Sequence, residues 1–239
     1  MSFTTQELTD TANELKREIN RFLSKTTKPD ALLGRHPIAV FASQKQSIAI
    51  WHGRRIEDHL AEWIMKSSDW DANKRMKIVT AGKTYEIDTL AWSKRLGIVL
   101  AVEAKRVWVN QPDTSQKDVR SKLKLYRDPS VTPTIISHAG LSTSDFRFFV
   151  FDVYGNTKKG RGALPVIAGD KIENIFGNTF SLYVQWERKV MAKAILEKID
   201  SNSQNTEPEE GLRTAILSGS LIGGKSKQDV LDYIDSHAN

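Results

Sequence analysis

A run of five apolar residues, Ile98-Val99-Leu100-Ala101-Val102, passes without a break into Glu103-Ala104-Lys105. No other stretch restricts the fold as much. An uninterrupted β-prone run of this kind reads as a strand covered on both faces. The charges at its end must therefore emerge at a sheet edge or be neutralised there. Upstream, Thr84–Trp92 is also strand-like, and Ser93-Lys94-Arg95-Leu96-Gly97 between them reads as a turn. So short a connection is most simply made as an antiparallel hairpin. Period-two alternation then sets Glu103 and Lys105 on one side of the second strand, and Glu86 and Asp88 on one side of the first.

Around this hairpin the pattern predicts an α/β fold: a central mixed β-sheet flanked by helices, with an N-terminal helix and a small helical C-terminal appendage. Leu8, Ala12, Leu15, Ile19, Phe22 and Leu23 recur at helical spacing, and Ser24–Asp30, with Pro29, ends that helix. Ile38–Phe41 and Ser47–Trp51 read as short extended pieces, and a second helix follows Gly53 and runs to Met65. After the hairpin come a polar helix from about Ser115 to Tyr126, β-prone runs at Thr134–Ser137 and Phe146–Val153, and a glycine-rich basic loop from Tyr154 to Gly162. Phe180–Gln185 reads as a further strand and Trp186–Ile199 as a helix. Residues 201–211 have linker composition, and 212–239 are too few for an independent core.

The chain has 239 residues, with 35 Lys and Arg against 29 Asp and Glu for a net charge of +6. That excess suits a polyanionic partner without requiring one. There is no cysteine, which removes disulfides, thiolate zinc, iron–sulfur clusters and a cysteine nucleophile together. No apolar run is long enough to span a membrane, and Met1–Glu7 lacks a signal-peptide profile. A cytoplasmic protein without a membrane partner is the expectation.

The charged end of the second hairpin strand admits two readings. One is an ion pair of Glu103 with Lys105. The other is a divalent cation such as Mg²⁺ held by Asp88 and Glu103, because hard cations take carboxylate oxygens and keep several waters. The tripeptide alone does not choose, since Glu-x-Lys occurs three times: Glu14-Leu15-Lys16, Glu103-Ala104-Lys105 and Glu187-Arg188-Lys189. Only the middle one follows a strand that carries another acid.

Ile87-Asp88, a short turn and Val102-Glu103-Ala104-Lys105 closing an apolar strand resemble the active-site hairpin of the PD-(D/E)XK nuclease superfamily, most closely its type II restriction endonucleases. Ile87 stands where the family pattern has proline. The resemblance covers roughly Gly53 to Val153. It implies a restriction-endonuclease-like nuclease domain over residues 1–200, in which Asp88 and Glu103 bind Mg²⁺ and Lys105 orients or deprotonates the attacking water. It also implies hydrolysis of double-stranded DNA, commonly by a homodimer. A structure-selective or repair nuclease, such as a junction resolvase, shares the same fold. A DNA-binding protein whose hairpin acids are only structural is the reading from another class.

The same family usually supplies one more acid from the helix before the hairpin, and Gly53-Arg54-Arg55-Ile56-Glu57 fits its glycine-three-residues-glutamate form. Helical geometry separates the two candidates there. Glu57 borders the stripe of Ile56, Leu60, Trp63 and Ile64, whereas Glu62 points the other way. Glu57 thus joins the catalytic and metal-binding set, the bland alternative being a first-turn glutamate that favours the helix dipole. Arg54, Arg55, Arg106, Asn156, Lys158, Lys159 and Arg161 are the candidate DNA contacts, with more positive charge between Lys117 and Lys124. His52, His59 and His138 lack ligand spacing and read as structural or surface residues. Gly219–Ser226 satisfies the P-loop formula, but no βα unit surrounds it. No nucleotide cofactor is expected, and Ser226 reads instead as the N-cap of a helix over Lys227–Ile234.

Overall fold

A computed structural model of the chain describes residues 3–24, 37–80, 83–142, 144–155, 164–177, 180–199, 213–217 and 226–238. The elements in chain order are α1 (Thr5–Leu23), α2 (Pro37–Ile64), β1 (Asp71–Thr80), β2 (Lys83–Ser93), β3 (Ile98–Lys105), α3 (Asp113–Tyr126), α4 (Thr132–His138), β4 (Asp145–Asp152), β5 (Val166–Ala168), α5 (Glu173–Phe176), α6 (Phe180–Ile199), α7 (213–217) and α8 (Lys227–Asp235). By its internal contacts the chain divides into two units, one holding Arg55–Ser181 and Leu221–Asn239, the other Ser2–Arg54 and Leu182–Ser220.

The first unit contains the sheet, in the order β1-β2-β3-β4-β5. β1, β2 and β3 are antiparallel, while β3–β4 and β4–β5 are parallel. A parallel neighbour requires a crossover, and α3 and α4 lie in the one between β3 and β4. Their Val119, Leu123, Tyr126, Ile135 and Ile136 cluster with Val99, Ala101, Phe148 and Val150 of β3 and β4. Phe149 and Phe151 alternate with those β4 residues. Phe151 meets Phe180 with centroids 5.6 Å apart, and Phe180 meets Trp63 of α2 at 4.5 Å. The central strands are thus covered on both faces, and the fold is the mixed, helix-flanked α/β sheet that the pattern predicts. β4 is an internal strand, as its apolar run implies.

The C-terminal helix belongs to this unit. Ser226 caps α8 in a reciprocal capping box with Asp229, and Val230, Leu231 and Ile234 are buried. The His237 carbonyl accepts from the Val166 backbone N–H of β5 at 3.4 Å, and Arg147 of β4 forks onto Asp235 at 2.8 and 2.9 Å. In the second unit, a Thr4–Glu7 capping box starts α1. There Phe22 packs on Trp51 at 5.8 Å, and Arg213 donates to the Thr9 hydroxyl at 2.9 Å.

Four expected extended segments are helical. Ile38–Phe41 and Ser47–Trp51 lie inside α2, which runs straight through Gly53. A mid-helix glycine costs only about 1 kcal/mol, and Ile48, His52, Arg55, Ile56, Leu60, Trp63 and Ile64 form one buried stripe. Thr134–Ser137 lies in α4, where Pro133 occupies the first turn, a position that needs no N–H. Phe180–Gln185 opens α6, whose buried Phe180, Tyr183, Val184, Glu187, Val190 and Met191 keep helical spacing. In each case a short β-branched or aromatic run has been claimed by a longer helical period. β1 was not anticipated. It is an edge strand whose Asn73, Lys74, Arg75 and Lys77 are exposed, so it carries little apolar signal.

Candidate active site

Asp88 on β2 and Glu103 on β3 are brought together by the hairpin register, which pairs Thr89 with Val102 just inside them. Both are buried, at 7% and 3% exposure. Two carboxylates in a low-dielectric setting need compensation, and two lysines supply it. Lys105 Nζ lies 2.7 Å from Glu103 Oε1 and 3.3 Å from Asp88 Oδ2. Lys122 Nζ, from α3, reaches Glu103 Oε1 at 3.1 Å and Oε2 at 2.9 Å. The Ala104 backbone N–H donates to Asp88 Oδ2 at 3.1 Å, which fixes that carboxylate against the end of the neighbouring strand. Glu86, two residues earlier on the same face of β2, is exposed.

Ionisation in this cluster is strongly linked. Burial, then the negative charge of Glu103, pushes the Asp88 carboxyl upward against the pull of Lys105 and Lys122. Burial alone would lower Lys105, but the Asp88 and Glu103 charges outweigh it and its pKa rises. Lys105 therefore holds its proton, which suits it to orient an anion or a water rather than to remove a proton. Burial, followed by the charge of Asp88, raises Glu57 from 4.5 to about 7. Glu57 is half-buried and Glu62 is exposed and paired with Lys74 at 2.9 Å, as the helical stripe implies. Glu57 nevertheless stands at the margin of the cluster: among the described residues, no three His, Cys, Asp or Glu side chains are gathered for one ion.

Lys122 is the member of this cluster that the sequence pattern leaves in a general basic patch. Its signal is legible afterwards. Val119, Leu123 and Tyr126 are the buried face of α3, and Lys122 lies three residues after the first and four before the last, a lysine on a core-facing stripe. Tyr126 adds a second mark. Its hydroxyl is buried with no hydrogen-bond partner among the described residues, and burial together with the charges of Glu103 and Asp88 raises its pKa. Asp152, fully buried at the end of β4, is in register with Lys105. It accepts from the Trp108 backbone N–H at 2.8 Å, tying down the chain that leaves the motif strand. A Cβ on Gly155 would lie 1.8 Å from Asp152 Oδ2, so this turn requires glycine.

The other candidate contacts divide. Arg54 is exposed, whereas Arg55 is buried, because its position falls on the inward stripe of α2. It is thereby removed from the surface set. Arg106 is half-buried, with its guanidinium 5.8 Å from the Tyr154 ring centre. Asn156, Lys158, Lys159 and Arg161 lie outside the described residues, as do the 201–211 linker and residues 219–225 of the P-loop-like stretch. Trp108 is a core residue. His52 is buried 3.5 Å from Glu187, and His138 is exposed.

The donor set fits a hard cation. Asp88 and Glu103 offer only carboxylate oxygens, and Mg²⁺ is commonly held by one or two such groups with water completing its shell. The orphaned Tyr126 hydroxyl, which senses both carboxylate charges, would give such a shell a polar neighbour. Both Glu103 oxygens carry ammonium partners, so a cation bound there would take over compensation that the two lysines now provide. No helix among the described residues is long and apolar enough to cross a membrane. Compared with protein-family models and with curated proteins, the chain matches none of them.

Proposed function

We propose that this protein is a Mg²⁺-dependent endonuclease of the PD-(D/E)XK type that hydrolyses phosphodiester bonds in double-stranded DNA, as type II restriction enzymes do. One observation carries the reading: at the end of an apolar strand a lysine lies 3.3 Å from an aspartate and 2.7 Å from a glutamate, all three on adjacent strands. Two readings compete with it, a structure-selective nuclease on the same fold and a DNA-binding protein with structural acids. The clustering of acids of raised proton affinity favours chemistry over structure, because a purely structural ion pair gains nothing from Glu57 beside it. A cytoplasmic homodimer acting on two-fold DNA sites belongs to the same proposal.

Asp88 and Glu103 would hold the cation, with Glu57 as the third acid at its margin. Mg²⁺ bound there supplies neutralisation of the charge that builds up on the phosphate. Lys105, protonated and 2.7 Å from Glu103, donates to the attacking water or to a phosphate oxygen and so fixes the line of approach. Lys122, bonded to Glu103 in the metal-free protein, would be a second cation available to the same phosphate.

The test is Mg²⁺-dependent cleavage of a sequenced plasmid by the purified protein, with the ends mapped. Discrete fragments support a site-specific enzyme, and preference for branched substrates supports the structure-selective one. Asp88→Asn should abolish cleavage while DNA binding persists. Undiminished cleavage by that variant rejects the site.

A further inference from the structure

β1 is irregular where it passes the acid pair. Asp71–Lys74 pair in register with Thr89–Trp92, and Met76–Thr80 with Lys83–Ile87. Arg75 and Asp88, which that register sets side by side, are the one position it skips. Arg75 has a φ of 52°, and among the described residues it is the only non-glycine with positive φ. A Cβ makes this left-handed conformation unfavourable, and glycine or asparagine would adopt it with less strain. An arginine occupies it.

The side chain does little for stability where it stands. Its Nη2 lies 3.0 Å from Asp58 Oδ2 with both groups partly exposed, at 42% and 32%, and such surface pairs contribute little. Its position matters more. The Arg75 charge reaches Glu57, which also senses Asp88, Glu103 and Lys105. The kink thus presents a guanidinium at the rim of the acid cluster, on an edge strand whose Lys74 and Lys77 are also exposed. One nitrogen is used by Asp58, and a guanidinium fork can grip phosphate oxygens in pairs.

We propose that Arg75 binds a backbone phosphate of the nucleic acid beside the scissile one, exchanging Asp58 for phosphodiester oxygens when the strand is seated. This rests on the nuclease reading of Asp88, Glu103 and Lys105. Strain at Arg75 is then the cost of aiming a cation past the edge of the sheet toward the substrate.

The test uses the full-length protein with Arg75→Ala, Arg75→Gly and Asp58→Asn. Mg²⁺-dependent cleavage gives KM and kcat, and duplex binding across a salt series is measured in the Asp88→Asn background. For Arg75→Gly the expected result is a KM raised about tenfold with kcat nearly unchanged, and a log–log salt slope reduced by about one. Its melting temperature should be at or above that of Arg75→Ala, because glycine relieves the backbone. Asp58→Asn should bind DNA as well as the parent or more tightly. If the parent cleaves and Asp88→Asn does not, yet Arg75→Gly keeps the parental KM and salt slope, the Arg75 proposal fails and the nuclease reading stands. A fall in kcat alone also overturns it, placing Arg75 with the acids rather than the phosphate. A parent protein that neither binds nor cleaves DNA rejects both.

Discussion

Glu103-Ala104-Lys105 and Glu187-Arg188-Lys189 share one pattern of side chains, and both glutamates are buried, at 3% and 1% exposure. Their surroundings have made different things of them. On β3, residues two apart share a face, so Lys105 meets Glu103, and Asp88 and Lys122 arrive from β2 and α3. On α6, residues two apart lie about 200° apart around the axis. Lys189 is accordingly exposed. Glu187 is met instead by the Tyr183 hydroxyl one turn earlier, at 2.8 Å, and by His52 of α2 at 3.5 Å. A buried glutamate marks a cost that must be compensated. A second acid beside it and cations that are not fully buried mark a place where a ligand can take over the compensation.

The sharpest way to break this contrast is to neutralise each glutamate in turn. Glu103→Gln should lower Mg²⁺-dependent cleavage by about 10³-fold or more, while Glu187→Gln keeps the parental rate per folded molecule; equal rates in the two variants would erase the distinction. Next in size is stability. Glu187→Ala removes the carboxylate that accepts from the Tyr183 hydroxyl and lies 3.5 Å from His52, opens a buried gap, and should cost about 3 kcal/mol in urea unfolding. Gly155→Ala forces the Asp152 carboxylate off the Trp108 N–H and should cost about 1–3 kcal/mol by the same measurement.

A smaller effect is the pH dependence of the metal-free protein. Glu57 binds its proton more tightly in the folded chain, at about 7, than at its ordinary 4.5. The folded state therefore carries the extra proton between those values, and stability declines as pH rises through the window and levels off above it. Asp88 acts in the same direction. The melting temperature should fall from pH 5 to pH 8, and Glu57→Gln should flatten that slope. Smallest of all, Lys189→Ala should alter stability by no more than about 0.5 kcal/mol and leave cleavage unchanged.

How far the chain could be read in advance follows from the range of each interaction. The hairpin, the shared face of Glu103 and Lys105, the half-buried setting of Glu57 against the exposed one of Glu62 and the Ser226 cap all rest on spacings of a few residues, and the folded chain has each of these placements. Lys122 and Asp152 lie 19 and 49 residues from Glu103 in the chain, and their roles depend on the α3 crossover and the parallel β3–β4 pairing. Arg75 sits on an edge strand with almost no apolar pattern, so neither the strand nor its kink was visible.

Local sequence thus determined the two adjacent strands and the three charges at their end, because alternation along a strand is a property of the backbone itself. It went astray at Ile38–Phe41, Ser47–Trp51, Thr134–Ser137 and Phe180–Gln185, where short apolar runs suit either conformation. Tertiary structure alone decided that Glu103 is held by two lysines, that Arg55 faces inward and that Arg75 borders the acids. Those outcomes are set by which distant surfaces are buried together, and burial is where an uncompensated charge becomes costly.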